Sequence, residues 1–213
     1  MTQPMRWMSR IGAVVIAGLT AGAAIAFAAS TKICFDAEAG AFTKPFRLVT
    51  AKQATGRDQK HAAQSASGGA FLEILEGANP KDKSKITGEV IYRVNVPATG
   101  QYKLWARTDW LDSCGNSFEV IAYLGSSTNI PKDAADRSQF VLGEDSIYRR
   151  WHWTEYRQPL SLKKGIVTLR LRNREDGVRV DRIFLCNDLA YVPGDAERVT
   201  KGALATTKPT KGK

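Results

Sequence analysis

The stretch from Leu169 to Asn187, LRLRNREDGVRVDRIFLCN, constrains the fold more than any other part of the chain. Its first leucines alternate with arginines, which is the period-two pattern of a half-buried β-strand. The polar run 173–177 ends in a glycine that can adopt the positive φ of a tight Asp-Gly hairpin. A second apolar strand follows over 178–185 and contains Asp181. The stretch therefore predicts two strands around a tight turn, and a buried carboxylate that needs a partner.

Further short strands separated by turns are predicted along the rest of the chain. No helical period of convincing length follows the N-terminal segment, and 55–69 and 125–150 are predicted to be long loops. This pattern predicts one all-β domain, an antiparallel β-sandwich of the jelly-roll type. Apolar alternation marks strands near 33–39, 42–51, 71–75, 90–96, 102–106, 118–124, 151–156, 159–162 and 166–171.

Residues 1–29 have the pattern of an export signal peptide. Arg6 and Arg10 precede an uncharged apolar run, and Ala26-Phe27-Ala28 matches the A-x-A pattern of a cleavage site. The run is long for a signal peptide, so an uncleaved N-terminal anchor is the alternative, although its many small residues favour cleavage. Both interpretations place the β-sandwich domain, residues 30–195, outside the cytoplasm, either secreted or in the periplasm or cell envelope.

The net charge of +10 comes from 31 basic and 21 acidic residues and is concentrated at the chain ends. Removing the two leader arginines leaves +8, and residues 196–213 carry five basic residues against Glu197, which is +4. This segment lacks apolar periodicity and is predicted to be a disordered basic tail. The folded part keeps only +4, so the charge does not indicate nucleic-acid binding. The tail either contacts an anionic surface or only aids solubility, and we expect a monomer.

Three cysteines allow at most one internal disulfide and leave one free thiol. Cys34 lies in the first predicted strand and Cys186 in the last. If these two strands are antiparallel neighbours, a disulfide between them would join the two ends of the domain. Cys114 would then be the free thiol.

Several short motifs follow one another in a characteristic order. They are Asp36-Ala37-Glu38, Ser67-Gly68-Gly69, Tyr92 to Pro97 with Gly100 to Arg107, Trp151 with Trp153, Leu162 to Gly165, and Val180 to Ile183. In this order they resemble the galactose-binding-like jelly rolls, specifically carbohydrate-binding modules of families 6 and 35. The resemblance covers roughly 33–193 and implies a non-catalytic role in binding a polysaccharide. Asp36, where these modules usually carry Glu, and the insertion at 125–150 depart from the pattern.

The resemblance implies a structural calcium ion held by Asp36, Glu38 and Asp181. Calcium prefers six to eight oxygen ligands, and three carboxylates without a cation would repel one another. The alternative is that Asp181 pairs with Arg179 or Arg182 while the other two acids are solvated.

The predicted disulfide and the predicted calcium ion require different strand registers. If Cys34 lies opposite Cys186, then Glu38 lies opposite Arg182 and one residue out of step with Asp181. Side chains one residue out of step point to opposite faces of a sheet. A β-bulge, or binding of Asp181 at the strand end, would be needed for both features to coexist.

The resemblance also implies a ligand cleft built from loops at one end of the sandwich. Its aromatic residues map onto Trp110 and Trp151, and its hairpin amide onto Asn173. Indole rings stack on the apolar faces of sugars, while amides and carboxylates bind the hydroxyls. Trp110 is predicted to be exposed in a turn, whereas Trp151 shares a strand face with Trp153, so at least one of these two can belong to the core. The set is completed by Asn116, Glu175 and Asp176.

The arginines near the turn have two interpretations. Arg174, with Arg172, Arg179 and Arg182, could form a site for an anion or a uronate, because guanidinium groups bind carboxylates in a bidentate manner. The alternative is a surface salt-bridge network that fixes the hairpin.

The sequence does not indicate an enzyme. The adjacent Glu175 and Asp176 rarely face one bond as a glycosidase pair must, and no motif pairs Cys114 with His152 as nucleophile and base or as zinc ligands. We predict an exported, non-catalytic module that binds a polysaccharide. The alternative is a structural or interaction protein of the cell envelope that binds protein through the same fold. Exposed tryptophan rings in one cleft would favour sugar, and buried rings would favour the structural role.

Overall fold

The computed structural model describes residues 30–130 and 132–205. These residues contain eleven β-strands and one α-helix. The helix α1 spans Gly56–Ser65, and short 3-10 turns occur at Ala37–Ala39, Ser67–Gly69 and Lys83–Lys85. The strands are β1 (Lys32–Asp36), β2 (Ala41–Phe42), β3 (Arg47–Thr50), β4 (Ala70–Ile74), β5 (Glu89–Val96), β6 (Gly100–Trp110), β7 (Ser117–Tyr123), β8 (Arg137–Gly143), β9 (His152–Leu162), β10 (Gly165–Arg172) and β11 (Val178–Cys186).

The strands form two antiparallel sheets. The first sheet has the order β3-β4-β11-β6-β9, with β1 also paired to β11, and the second has the order β2-β5-β10-β7-β8. The apolar side chains of the two sheets face each other and form one core, which includes Leu169, Leu171, Val178 and Val180. The predicted all-β sandwich is therefore confirmed.

The predicted hairpin at Leu169–Asn187 is wrong in its pairing. Strand β10 pairs with β5 and β7 in the second sheet, whereas β11 pairs with β1, β4 and β6 in the first. The turn 173–177 therefore crosses from one sheet to the other. Both strands are central in their sheets, and each satisfies its backbone groups with other partners rather than with its sequence neighbour.

Helix α1 lies within the segment predicted to be a long loop, so that prediction is wrong. The helix is polar and buries only Gln59, Ala62 and Ala63, which leaves a weak apolar period in the sequence. The alanines pack on Val49 and Phe71, on the outer face of the first sheet. Tertiary packing, rather than a strong amphipathic pattern, therefore stabilises this helix.

The structure also differs from the sequence prediction in the 125–150 insertion and at the C-terminal end. The insertion contains strand β8, which pairs with β7 along its whole length. Thr200 donates a backbone hydrogen bond of 2.8 Å to Cys34, and Ala203 accepts one of 2.8 Å from Asn95. The segment up to residue 205 thus lies on the sandwich, within the range predicted to be a disordered tail.

The predicted leader, residues 1–29, and the last residues of the predicted tail, 206–213, lie outside the described residues. Among the helices of the described part, none is long and apolar enough to cross a membrane.

Candidate ligand-binding site

Trp110 lies in the core and not in an exposed turn, so that prediction is wrong. It is the last residue of β6 and is 0% exposed. Its ring packs edge-on against Phe118 and His152, with centroid distances of 5.6 and 6.0 Å. The ring cannot stack on a ligand unless this end of the core opens.

The loop between β8 and β9 covers Trp110. Arg149 donates a backbone hydrogen bond of 2.8 Å to the Trp110 carbonyl, and Tyr148 forms an isolated bridge with Trp110. Asn116 Nδ2 donates a 2.9 Å hydrogen bond to the backbone oxygen of Asp145. The insertion that departs from the carbohydrate-binding modules therefore fills the place where the sequence predicted an aromatic cleft.

The Asp145 carboxylate anchors this loop. Thr154 Oγ1 donates to Oδ2 at 2.7 Å, the Ile147 backbone N–H donates to Oδ1 at 3.1 Å, and His152 Nε2 lies 3.0 Å from Oδ2. Burial raises the pKa of Asp145, but the hydrogen bonds from Thr154, Ile147 and His152 outweigh it and leave the pKa below its ordinary value. Sequence reasoning missed Asp145 because nothing in the weakly patterned insertion marks it.

Trp151 packs against the cluster beneath α1, whereas Trp110 lies in the core between the two sheets. Its Nε1 donates a 2.9 Å hydrogen bond to the Ala62 carbonyl, and its ring contacts Phe71 edge-on at 5.6 Å. The guanidinium of Arg107 lies 5.5 Å from the ring centroid. Trp151 is therefore half-buried beneath α1, and the two tryptophans do not share a cleft.

The four polar residues predicted for the ligand site do come together around the turn 173–177. Glu175 Oε2 accepts hydrogen bonds from Ser117 Oγ at 2.6 Å and from the Asn116 backbone N–H at 3.1 Å. Asp176 Oδ2 accepts one of 3.0 Å from the backbone N–H of Asn79. These bonds hold the turn against the neighbouring loops.

Asn173 is 8% exposed and ties the same turn to the segment before β5. Its Nδ2 donates to Asn79 Oδ1 at 2.6 Å and to the Thr87 carbonyl at 2.9 Å. Among the described residues, its Oδ1 accepts one hydrogen bond, a long one of 3.4 Å from Asn79 Nδ2. The amide oxygen therefore keeps capacity for a further hydrogen bond.

A cleft of about 550 Å³ lies beside this turn, and we call it the Asn173 cleft. This volume falls within the range of small-molecule sites. In the described part of the chain, Lys83 has no ion-pair partner. The two arginines beside it are paired, Arg172 with Glu119 at 2.5 Å and Arg174 with Glu175 at 2.8 Å. The cleft is lined by Lys83, Ser84, Ile86, Glu119, Val141, Arg172, Asn173, Arg174 and Glu175.

The four arginines of the predicted anion site do not converge on one place, because each is paired with carboxylates. Arg172 and Arg174 line the Asn173 cleft, Arg182 Nε lies 3.0 Å from Asp36, and Arg179 bridges Glu73 and Asp109 at 2.9 and 3.0 Å. The geometry thus agrees with the alternative of a salt-bridge network, although the Arg179 part is buried rather than on the surface.

Asp181, the carboxylate inside β11, has a partner that sequence reasoning did not name. It is 0% exposed, accepts a 2.6 Å hydrogen bond from Arg107 Nη1 on β6, and accepts one of 3.0 Å from the Ser67 backbone N–H. Burial raises the pKa of Asp181, while the Arg107 and Ser67 bonds oppose that rise. The register of β11 against β6 shifts between Val180 and Arg182, whereas β1 pairs with β11 without a shift.

The three carboxylates predicted to hold calcium do not fit one shared ion as they are placed. Asp36 pairs with Arg182 and Asp181 pairs with Arg107, so arginines supply the positive charge. Across the residues that the structure describes, no group of three or more His, Cys, Asp or Glu side chains could hold a metal ion. Calcium binding by this set stays a prediction.

Glu38 differs from the other two acids. Its Oε2 is buried and has no hydrogen-bond partner among the described residues. Burial, together with the charges of Asp36 and Asp181, raises the pKa of Glu38 to about 7.

The two cysteines of the predicted disulfide are free, buried thiols in the structure. Cys34 lies opposite Phe184 on β11, and Lys32 lies opposite Cys186. The two cysteines are therefore diagonal neighbours on one face, two residues out of the register that the prediction assumed. Cys114 is free and exposed.

No protein-family model matches the chain, and no curated protein matches it in sequence. Solved structures do match it. The isomalto-dextranase of Arthrobacter globiformis T6, complexed with panose, superposes with a TM-score of 0.50 at 13% identity, over 72% of this chain and 23% of that chain. The fold is an antiparallel β-sandwich of two sheets. The predicted fold is thus confirmed, and at this identity the likeness concerns the fold alone.

Two smaller solved modules also match. A family 35 carbohydrate binding module from Clostridium thermocellum gives a TM-score of 0.44 at 16% identity, over 73% of this chain and 97% of that chain. A carbohydrate binding module from Cellvibrio mixtus lichenase 5A, in complex with cellotriose, gives 0.43 at 12%, over 71% and 94%. The chain spans only 23–29% of the length of the first solved structures that it matches.

Proposed function

We propose that this galactose-binding-like β-sandwich is an exported, non-catalytic domain that binds a polysaccharide in the Asn173 cleft. The observation that carries the proposal is the cleft itself, because Asn173 and Glu175, two of the residues predicted to bind ligand, line it together. The fold supports the proposal but does not identify a ligand.

The chemistry of the cleft suits a sugar chain. Ile86 and Val141 offer apolar surface for the flat face of a ring, and the ammonium of Lys83 can donate hydrogen bonds to hydroxyls. The Asn173 amide oxygen can accept one. Because no described residue that lines the cleft is aromatic, we expect recognition mainly through polar contacts, and hence weaker binding than ring stacking would give.

A binding role without catalysis fits the carboxylates of the turn. Glu175 holds Ser117 and the Asn116 backbone, and Asp176 holds the Asn79 backbone, so both have structural partners. Export is supported by the leader pattern of residues 1–29. The proposal also includes a monomeric domain whose basic tail contacts an anionic surface.

The decisive experiment is binding of the purified protein to a broad glycan array, compared with a Lys83→Ala variant. Lys83 is exposed and has no ion-pair partner in the described structure, so its removal should leave the fold intact. We expect at least a tenfold loss of affinity for the bound glycan. Lys163→Ala, at an exposed turn before β10, is the matched control and should bind as the unmodified protein does.

A second candidate function is a structural or interaction protein of the cell envelope. The burial of Trp110 favours it, because stacking residues of a sugar site would be exposed. If no glycan binds a sample whose circular dichroism shows a folded β-protein, the carbohydrate proposal fails. Cross-linking on intact cells would then test for a protein partner.

A further inference from the structure

The end of the sandwich opposite the Asn173 cleft is where the chain enters the domain, and we call it the entry end. It consists of the start of β1, the end of β11, and the turns that join β5 to β6 and β9 to β10. The backbone N–H of Thr31 donates a 2.6 Å hydrogen bond to Asn187 Oδ1 there. The uncharged apolar run 11–29 of the predicted leader therefore joins the domain at this end. Strand β10 extends about 25 Å from here to the Asn173 cleft.

An apolar cleft of about 490 Å³ opens at the entry end, between the edge strand β9 and the neighbouring ends of β6 and β7. Its walls include Leu160 and Leu162, which belong to the core. Its volume falls within the range of small-molecule sites. Apolar surface that faces water is stabilised by contact with another apolar group, so the cleft favours a hydrocarbon ligand. The apolar residues that line it are Ala122, Leu124, Ala135, Leu160 and Leu162.

Two lysines stand at the mouth of this apolar cleft. Lys163, which lines it, and Lys164 form the exposed turn between β9 and β10, and neither has an ion-pair partner among the described residues. The Lys164 backbone N–H donates a 3.0 Å hydrogen bond to Thr99 Oγ1, and Thr99 also lines the cleft. This bond fixes the turn beside the cleft. Asp136 is the one acid in the described lining, so the two lysines leave the mouth with positive charge.

The loop after β11, which begins at the entry end, carries exposed apolar side chains. Leu189 is 40% exposed and Val192 is 66% exposed. Lys32 lies beside this loop, with its Nζ 3.5 Å from the centroid of the Tyr191 ring. Exposed apolar side chains next to lysines are typical of a surface that rests on anionic lipid. The apolar groups enter the interface, and the ammonium groups contact the phosphates.

We propose that the entry end docks on an anionic phospholipid bilayer. An acyl chain of one lipid occupies the apolar cleft, and the phosphate of that lipid lies against Lys163 and Lys164. Two observations select this occupant. The cleft combines an apolar wall with a positively charged mouth, and the apolar run 11–29, whose composition suits a bilayer, joins the domain at the same end.

This orientation holds the Asn173 cleft on the side of the protein away from the bilayer, where a polysaccharide has access to it. The docking surface does not depend on glycan binding, so the two proposals can fail independently. It is also separate from the basic tail. Residues 203–205 run antiparallel along β5, from Asn95 to Arg93, and so lead away from the entry end.

The test is co-sedimentation of residues 30–213 with phospholipid vesicles. The core residues lie between positions 33 and 203, so the chain without its predicted leader keeps the core and loses the apolar run that would itself bind lipid. Vesicles of phosphatidylglycerol and phosphatidylcholine in equal amounts are compared with vesicles of phosphatidylcholine alone. We expect clear binding to the anionic vesicles and at least tenfold weaker binding to the neutral ones. Equal binding to both would overturn the proposal.

Two double variants separate a local surface from an effect of net charge. Lys163→Ala with Lys164→Ala removes the mouth of the apolar cleft, whereas Lys81→Ala with Lys83→Ala removes the same charge from an exposed loop at the opposite end. Because two lysines beside an anionic surface contribute about 30-fold to affinity, the first variant should bind anionic vesicles about 30-fold more weakly. The second should bind them as the unmodified protein does. Glycan binding should show the reverse pattern.

A short-chain lipid tests whether the apolar cleft holds the acyl chain. Dihexanoylphosphatidylglycerol offers a phosphate and acyl chains in soluble form, and glycerol 3-phosphate offers the phosphate alone. Calorimetric titration should show at least tenfold tighter binding of the lipid. Equal affinity for the two compounds would refute the acyl-chain site, and an equal loss of vesicle binding in the two double variants would refute the docking surface.

Discussion

The indole Nε1 of Trp110 donates a 3.1 Å hydrogen bond to Oδ1 of Asp145, which joins the end of β6 to the loop between β8 and β9. The same carboxylate also accepts from Thr154 and from the Ile147 backbone. Trp110 therefore has two structural roles, since its ring fills the core and its N–H holds the loop that closes this end of the sandwich.

This arrangement predicts that Trp110→Ala affects stability more than ligand binding. Removing a fully buried tryptophan should lower the free energy of unfolding by about 3–5 kcal/mol. Trp110→Phe keeps much of the packing but removes the donor to Asp145, and we expect a loss of about 1–3 kcal/mol. Urea denaturation followed by circular dichroism measures both. Phe42→Ala, at a side chain that is 39% exposed, is the control and should lower the free energy of unfolding only slightly. A loss for Trp110→Ala as small as that of Phe42→Ala would contradict the burial of Trp110.

The buried pair of Arg107 and Asp181 leads to a second prediction. Their side chains are 9% and 0% exposed, and removing one charge of such a pair leaves the other without compensation. We expect Asp181→Asn to lower the free energy of unfolding by about 3–5 kcal/mol. Asp82→Asn breaks the exposed pair with Lys85 and should leave the free energy of unfolding nearly unchanged. Comparable losses for the two variants would show that the buried charge of Arg107 does not need Asp181 for compensation.

Glu38 should make stability depend on pH between about 4.5 and 7. Burial raises the pKa of Glu38 from 4.5 to about 7, so the folded state binds the proton more tightly than the unfolded state. The contribution of Glu38 to the free energy of unfolding is then highest below pH 4.5. It falls as the pH rises from 4.5 to about 7 and is constant above that. Because the side chain is only half-buried, the loss is on the order of 1–2 kcal/mol. Thermal unfolding across this pH range should be flatter for Glu38→Gln, and an unchanged slope would contradict the raised pKa.

The ion pairs of Asp36 and Asp181 predict a protein that is stable without calcium, in contrast to the calcium site that the resemblance implies. Arg182 and Arg107 already neutralise Asp36 and Asp181, so an ion is not needed to hold these carboxylates near each other. We expect the Tm to stay the same after treatment with EDTA and after addition of calcium chloride. A fall in Tm with EDTA that calcium restores would contradict this expectation and support the structural calcium ion that the resemblance to carbohydrate-binding modules implies.

The three cysteines should differ in reactivity in the native protein. Burial raises the pKa of the Cys34 thiol to about 12 and also raises the pKa of Cys186, so neither forms the reactive thiolate readily. We expect Ellman's reagent to modify one thiol, Cys114, in the folded protein and three in denaturant. Only one reactive thiol in denaturant would instead show the disulfide between Cys34 and Cys186.

Most of the fold could be predicted from the sequence, because strand periodicity and turn residues act over a few positions. The alternation at Leu169 and Leu171 placed β10 correctly, and their side chains do face the core. The pairing of β10 could not be predicted, since a tight polar turn serves equally well for a hairpin and for a crossing between sheets. Helix α1 was missed because its buried face is only two alanines and a glutamine.

The candidate site was predictable in part for a similar reason. Asn173, Glu175 and Asp176 belong to one turn, so they lie together by local geometry, whereas Asn116 comes from the loop before β7 and was placed near them only by the resemblance. Trp110 could not be placed, because the residues that bury it, Asp145 and Tyr148, come from an insertion about 35 residues later.

By itself, the sequence determined the class of fold, the strand content and the need of Asp181 for a partner, because each depends on residue type and short spacing. Only the tertiary structure decided which partner that was. Arg107, not Arg179 or Arg182, pairs with Asp181, since β6 lies beside β11 and presents the guanidinium on the same face. The identity of a buried charge's partner depends on which strands become neighbours, and strand order is a property of the whole chain rather than of any one stretch.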